Sequence, residues 1–403
     1  MKTANMRHIS ILTLLALLSI SMTSCHDEPG GGDDSGQDIR RTVLVYQVAA
    51  NNLGDSSYDQ MDIQEMVVGA REGALPSDCS LLVYNSRNKQ GAHLLEITRT
   101  GIDTLKTYGT DILSVDSRRM LEVFDDMEAL RPASDYGLVL WSHGSGWLQD
   151  GIADDNDTSI QPLSFGSEGR PGKTMNITTL ANTIAKGPKL SFLYFDCCYM
   201  ASVETLYELR HSTPYIVASA TELLVYGMPY DKNIACFFAE NTPDLIEAAE
   251  NTFTLYNNES GSNRTCTMSV IDTSRLDELA QATAAIYKAA DASLPAGYSP
   301  QRFMSYHVTP CYYYDFGDYV KALCLTDGKE RFDGAEELFA AYSETLSEAV
   351  LYAKATPYLW NSVPLTHHCG LSTNILQSES NASVKNYYTL SWYSDVAKEL
   401  FNK

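Results

Sequence analysis

The chain has 403 residues, 44% hydrophobic and 20% charged, which supplies apolar material for a full core and exceeds one typical domain. That composition excludes a disordered or fibrous protein. A net charge of −22 repels phosphate backbones, so no nucleic-acid partner is expected; basic peptides or divalent cations suit the field better.

In chain order, Lys2 and Arg7 precede an apolar run over 9–20 that is too short to span a bilayer, so residues 1–24 are expected to be a signal peptide. It ends in Met22-Thr23-Ser24-Cys25, which resembles the lipobox of bacterial lipoproteins and implies a lipid on Cys25. The expected address is therefore the bacterial cell envelope, lipid-anchored to the outer membrane and surface-exposed. Residues 25–40 are Gly-rich and acidic and read as a flexible tether. Nine cysteines show no C-x-x-C and no zinc-type spacing, so no metal cluster is expected, and the spacing leaves their pairing open.

Short apolar runs at 43–48, 81–84, 137–141, 192–195 and 215–218 predict strands, and helical spacing at 59–70, 117–130 and 177–184 predicts helices between them. The alternation gives an α/β fold: a mostly parallel central sheet with helices on both faces and its functional loops at the carboxyl ends of the strands. Beyond about residue 275 longer amphipathic stretches take over, at 274–292 and 335–355. We expect a main domain over 41–274 and a smaller C-terminal α+β domain over 275–403.

Two segments carry chemistry. Gly137-Leu138-Val139-Leu140-Trp141-Ser142-His143-Gly144-Ser145-Gly146-Trp147 is a strand running into a His flanked by glycines, which let the backbone turn and leave amides open to an oxyanion. Phe192-Leu193-Tyr194-Phe195-Asp196-Cys197-Cys198 is a strand ending in an acid and two thiols. A helix is expected to follow at once, so that its dipole, with a nearby His, favours the thiolate. Neighbouring residues in extended chain face opposite ways, so only one thiol should meet His143.

L-W-S-H-G-S-G-W and F-D-C-C-Y-M-x-S-V-E-x-x-Y-E-L resemble the two catalytic blocks of the clostripain family of cysteine peptidases. The likeness extends to Thr42-Val43-Leu44-Val45-Tyr46 with Asn51-Asn52-Leu53, to Ala218-Ser219 and Gly227-Met228-Pro229-Tyr230, and more weakly to Cys369-Gly370-Leu371-Ser372. It implies a caspase-like α/β/α sandwich and a His/Cys dyad with no evident third member: His143 as acid and base, Cys198 as nucleophile, Gly144 and the Cys198 amide as oxyanion hole. It further implies endopeptidase activity on protein or peptide substrates, with Asp196 lining the primary specificity pocket.

Cys197 departs from the family's usual Ala. The segment after Ala218-Ser219 is also less acidic than in strongly Arg-selective members, leaving Asp196 as the main acid and Glu222 and Asp231 as helpers. A carboxylate there favours Arg or Lys at the cleaved position, although Asp196 is equally placed to cap the next helix. Relatives are often cut between the two blocks, and Lys173 is the candidate processing site because Arg170 precedes a proline. No cofactor is required; residues 153–158 concentrate carboxylates as a calcium loop might, without the alternation of an EF-hand. The competing reading is a catalytically silent lipoprotein serving as a binding or adhesion module. A serine hydrolase is disfavoured by the lack of a Gly-x-Ser-x-Gly elbow.

Overall fold

Every second residue of the first strand belongs to a different core. In β1 (Ile39–Ala49), Leu44, Tyr46 and Val48 point into one apolar cluster, while Val43 and Val45 point into another. This two-sided burial is what a central parallel strand requires. The computed structural model describes residues 39–88, 90–148, 164–169, 172–308, 310–375 and 382–401. The expected signal peptide, Cys25, nearly all of the tether, Arg170 and the 153–158 carboxylates lie outside them.

The other sheet strands are β2 (Cys79–Arg87), β3 (Gly91–Ile97), β4 (Ile102–Tyr108), β5 (Ala133–Trp141), β6 (Leu190–Asp196), β7 (Tyr215–Ala218), β8 (Thr267–Asp272) and β9 (Val350–Ala355). They are ordered β9-β8-β7-β6-β5-β1-β2-β3-β4. The five from β7 to β2 run parallel, and each flank adds two antiparallel strands. The short α1 (Asn52–Asp55) follows β1, and on one face α2 (Tyr58–Arg71), α6 (Tyr230–Phe237) and α7 (Leu245–Asn257) bury Ile63, Met66, Ile234 and Ala248 against Val139 and Tyr194. The other face packs α3 (Ser117–Leu130), α4 (Ile177–Ile184), α5 (Val203–Leu209), α8 (Leu276–Ala289), α9 (Phe316–Cys324) and α10 (Ala335–Ala349) on Leu140 and Phe195.

The five strands and three helices expected up to residue 218 are all present, with α3 and α4 at the expected limits. One expectation fails further on: the amphipathic stretch 335–355 is not one helix. α10 stops at Ala349, and Val350–Ala355 turns into β9, pairing antiparallel with β8. A chain edge left bare at β8 gains a full ladder this way, and that outweighs local helical spacing. Among the described residues no helix is long and apolar enough to cross a membrane.

Candidate active site

β5 and β6 are neighbours in register, with Leu140 opposite Phe195 and Trp141 opposite Asp196. Continued two residues beyond each strand, that register brings His143 beside Cys198. Both are half-buried and line a single cleft of about 1220 Å³. Cys197 points the other way: its thiol bonds the Leu140 carbonyl at 3.2 Å in the core, as the alternation of extended chain demands. The eight described cysteines are all free.

Gly144 has no substitute. A Cβ there would sit 2.7 Å from the Cys198 carbonyl oxygen and 2.8 Å from Cys197 Cβ, so only glycine lets the two strand ends meet. Just after Cys198, Tyr199 adopts a left-handed conformation (φ 61°), held by its amide on the Thr221 carbonyl and by its ring stacked on Tyr313 at 4.7 Å. Strain of this kind persists only where the surroundings fix it.

The expected helix does not follow Cys198 at once. α5 begins at Val203 with Ser202 as its cap, its side chain accepting from the Thr205 amide. Four residues separate the thiol from the helix, and the dipole's influence fades within the first turn. Burial, reinforced by Glu222, pushes the Cys198 thiol up to about 12, and burial lowers the His143 imidazole. Both shifts disfavour the charged forms, whereas the ion pair expected from a helix-activated thiolate needs the thiol lowered.

A third residue meets His143, and it went unassigned in the sequence. Asn52 Oδ1 lies 2.7 Å from His143 Nε2. An amide oxygen only accepts, so the ring carries its proton on Nε2 and keeps Nδ1 basic. Asn51 holds the frame: Nδ2 donates to the Val48 and Ser167 carbonyls at 2.9 Å, and Oδ1 caps the short helix Asn52–Asp55. The Asn51-Asn52-Leu53 motif was the available signal, but a bond across 91 positions has no local pattern.

The carboxylates divide. Asp196 lines the cleft, and its Oδ2 accepts from the Met228 amide at 3.3 Å and the Tyr230 hydroxyl at 3.1 Å, so it does not cap α5. Burial raises it and raises nearby Asp62 further, because Asp62 also feels Asp196 and Glu65. Glu222 lines the cleft as well and accepts from the Tyr199 hydroxyl at 3.0 Å. Asp231 does not belong with them: it stands in the first turn of α6, outside the cleft lining, where its nearest charged consequence is to raise Glu65. Lys173 is exposed at the start of Lys173–Met175, which pairs with Phe165–Glu168, and its neighbour Gly172 lines the cleft.

The clostripain family pattern matches residues 45–401. This chain belongs to the clostripain family. Among solved structures, an inactive zymogen of a C11 protease from Parabacteroides distasonis is 28% identical with a TM-score of 0.72, over 88% of this chain and 97% of that one. A secreted C11 cysteine protease from Bacteroides thetaiotaomicron, in complex with an irreversible peptide inhibitor, is likewise 28% identical with a TM-score of 0.71, over 88% and 98%. A second structure of a secreted C11 cysteine protease from that organism, "iotapain", is 24% identical at a TM-score of 0.73, over 89% and 99%, and shares the fold. No curated protein sequence is significantly similar. The clostripain-family chain is thus a cysteine protease with the caspase-like sandwich expected from its motifs.

Proposed function

We propose that this clostripain-family protease cleaves peptide bonds after Arg or Lys with Cys198 as nucleophile and His143 as acid and base. The observation that carries the reading is the matched position of His143 and Cys198 at the ends of two adjacent parallel strands, opening on one cleft. On attack, His143 Nδ1 takes the thiol proton as sulfur bonds the carbonyl carbon; the imidazolium then gives that proton to the leaving amine as the C–N bond breaks. Water, activated by the same nitrogen, hydrolyses the thioester. The amides of Gly144 and Cys198 are the proposed oxyanion donors. Nucleophile, acid and base all come from side chains, so no cofactor enters this scheme.

Asp196 supports the basic preference. Both of its bonds fall on Oδ2, and among the described residues no donor is bonded to Oδ1. A guanidinium or ammonium entering the cleft would meet that oxygen, with Glu222 nearby, and would favour its ionised form. Lys173, exposed beside the cleft rim, is the proposed processing site. Cys25 is the proposed lipid anchor, in the outer membrane of a bacterial envelope.

Digestion of a peptide library by the parent, Cys198→Ala and Cys197→Ala tests the scheme. We expect Cys198→Ala to lose at least roughly a thousandfold in kcat/KM, Cys197→Ala to stay within a few-fold of the parent, and cuts to follow Arg or Lys. Equal loss in both variants would overturn the nucleophile; a parent that binds but never cuts would favour the adhesion reading.

A further inference from the structure

The turn Leu224–Gly227 is unusual in what it exposes. The Gly227 amide donates to the Leu224 carbonyl at 3.1 Å, closing a four-residue turn whose two central residues are Val225, 40% exposed, and Tyr226, 51% exposed. Polar residues normally hold such positions. The turn is also held in place: the hydroxyl of buried Tyr256 donates to the Gly227 carbonyl (2.5 Å) with the Leu224 carbonyl 3.3 Å away, and Tyr58 meets the Tyr226 ring edge-on at 6.2 Å. Leu224 and Val225 wall the catalytic cleft on one side. On the other side, Leu224, Tyr226, Leu255 and Tyr256 line a second cavity of about 200 Å³, rimmed by Glu259 and Asn263. Leu224 lines both, so the small pocket shares a wall with the cleft.

Strand order tells which part of a substrate reaches it. His143 extends from β5 and Cys198 from β6, and the turn lies on the chain leaving β7; in the sheet, β6 stands between the other two. A base that protonates the leaving amine must face the half of the peptide that departs. The acyl half therefore lies across Cys198 toward β7, where the Leu223 carbonyl is 3.5 Å from the thiol. We propose that the Tyr226–Leu255 pocket is a second specificity subsite that takes an aliphatic or aromatic side chain of the substrate, upstream of the residue in the primary pocket. This rests on the His143/Cys198 reading given above. Its occupant is argued from three observations: apolar walls on a pre-formed turn, room for one side chain, and a wall shared with the cleft on the acyl side.

The test uses the full-length protein and peptides that share one basic residue at the cut. One set varies each upstream position among Leu, Phe, Gly and Asp; a minimal substrate carries only an acetyl group upstream of the basic residue. For the parent we expect Leu or Phe to exceed Asp by about tenfold in kcat/KM at one upstream position. Tyr226→Ser and Leu255→Ser should reduce that ratio to within about threefold, the loss expected from removing one apolar contact, while the minimal substrate is cleaved as by the parent. Both side chains are partly exposed, and unchanged minimal cleavage reports an intact fold. Variants that keep the full upstream preference, or a parent with none, would overturn the subsite. Loss of all Cys198-dependent cleavage in the parent would instead sink the underlying reading.

Discussion

Asn52 gives His143 a partner of the weakest useful kind: a neutral acceptor that orients the ring without adding charge. Asn52→Ala should lower kcat/KM by roughly threefold to tenfold, the worth of one such bond, with little effect on KM. Asn52→Asp supplies the readout that separates orientation from mere packing. A carboxylate at that place would raise the imidazole by about one unit or more, so the acid limb of kcat/KM should move upward in pH; a limb that stays put would show that Asn52 does not act through the ring. That His143 and Cys198 would share one cleft was legible in sequence because strand, glycine and thiol stand together in short ordered motifs. Asn52 lay inside a quoted motif and still escaped, since its partner is 91 positions away. Asp231 lies elsewhere for the opposite reason: it sits one residue after a matched motif, but α6 carries it off the cleft lining.

Loops leaving the strands do the positioning. Gly227 shows how tightly: its φ is 62°, and a Cβ would fall 2.6 Å from Asp196 Oδ2. Gly227→Ala should cost about 1–2 kcal/mol in chemical denaturation, for the left-handed backbone. It should also weaken cleavage after Arg more than after a neutral residue, because the carboxylate must shift. Unchanged selectivity would separate Asp196 from the primary pocket. The parallel centre of the sheet was readable because each strand, buried on both faces, is a near-continuous apolar run. The flanks were not: β4 keeps exposed polar residues along much of its length, and β9 continues without a break from the helical pattern of α10. The delayed start of α5 was hidden too. Cys197-Cys198-Tyr199 does not announce a left-handed residue, and its partners there, the Thr221 carbonyl and the ring of Tyr313, come from distant parts of the chain.

Across the whole molecule, residues beyond 300 return to α5, the helix that follows Cys198. Glu204, fully buried in α5, accepts from the Thr373 hydroxyl and the Asn374 amide, both at 2.8 Å. Burial raises its carboxyl from 4.5 to about 7. The native state therefore retains a proton that the unfolded chain releases, and stability falls as pH rises from about 4.5 to about 7, then levels. Glu204→Gln keeps an accepting oxygen and removes the titration. Its stability advantage over the parent should grow across that window toward about 3 kcal/mol, read as the difference in denaturation midpoint at pH 5 and pH 8. A constant difference would mean that Glu204 is ionised in the native protein.

β9 carries a consequence for anyone shortening this chain. A version stopped at residue 274 would strip the partner from Thr267–Asp272 and leave Glu204 with neither of its donors. It would present an unpaired, apolar ladder to solvent, and we expect it to precipitate rather than yield a smaller working catalyst.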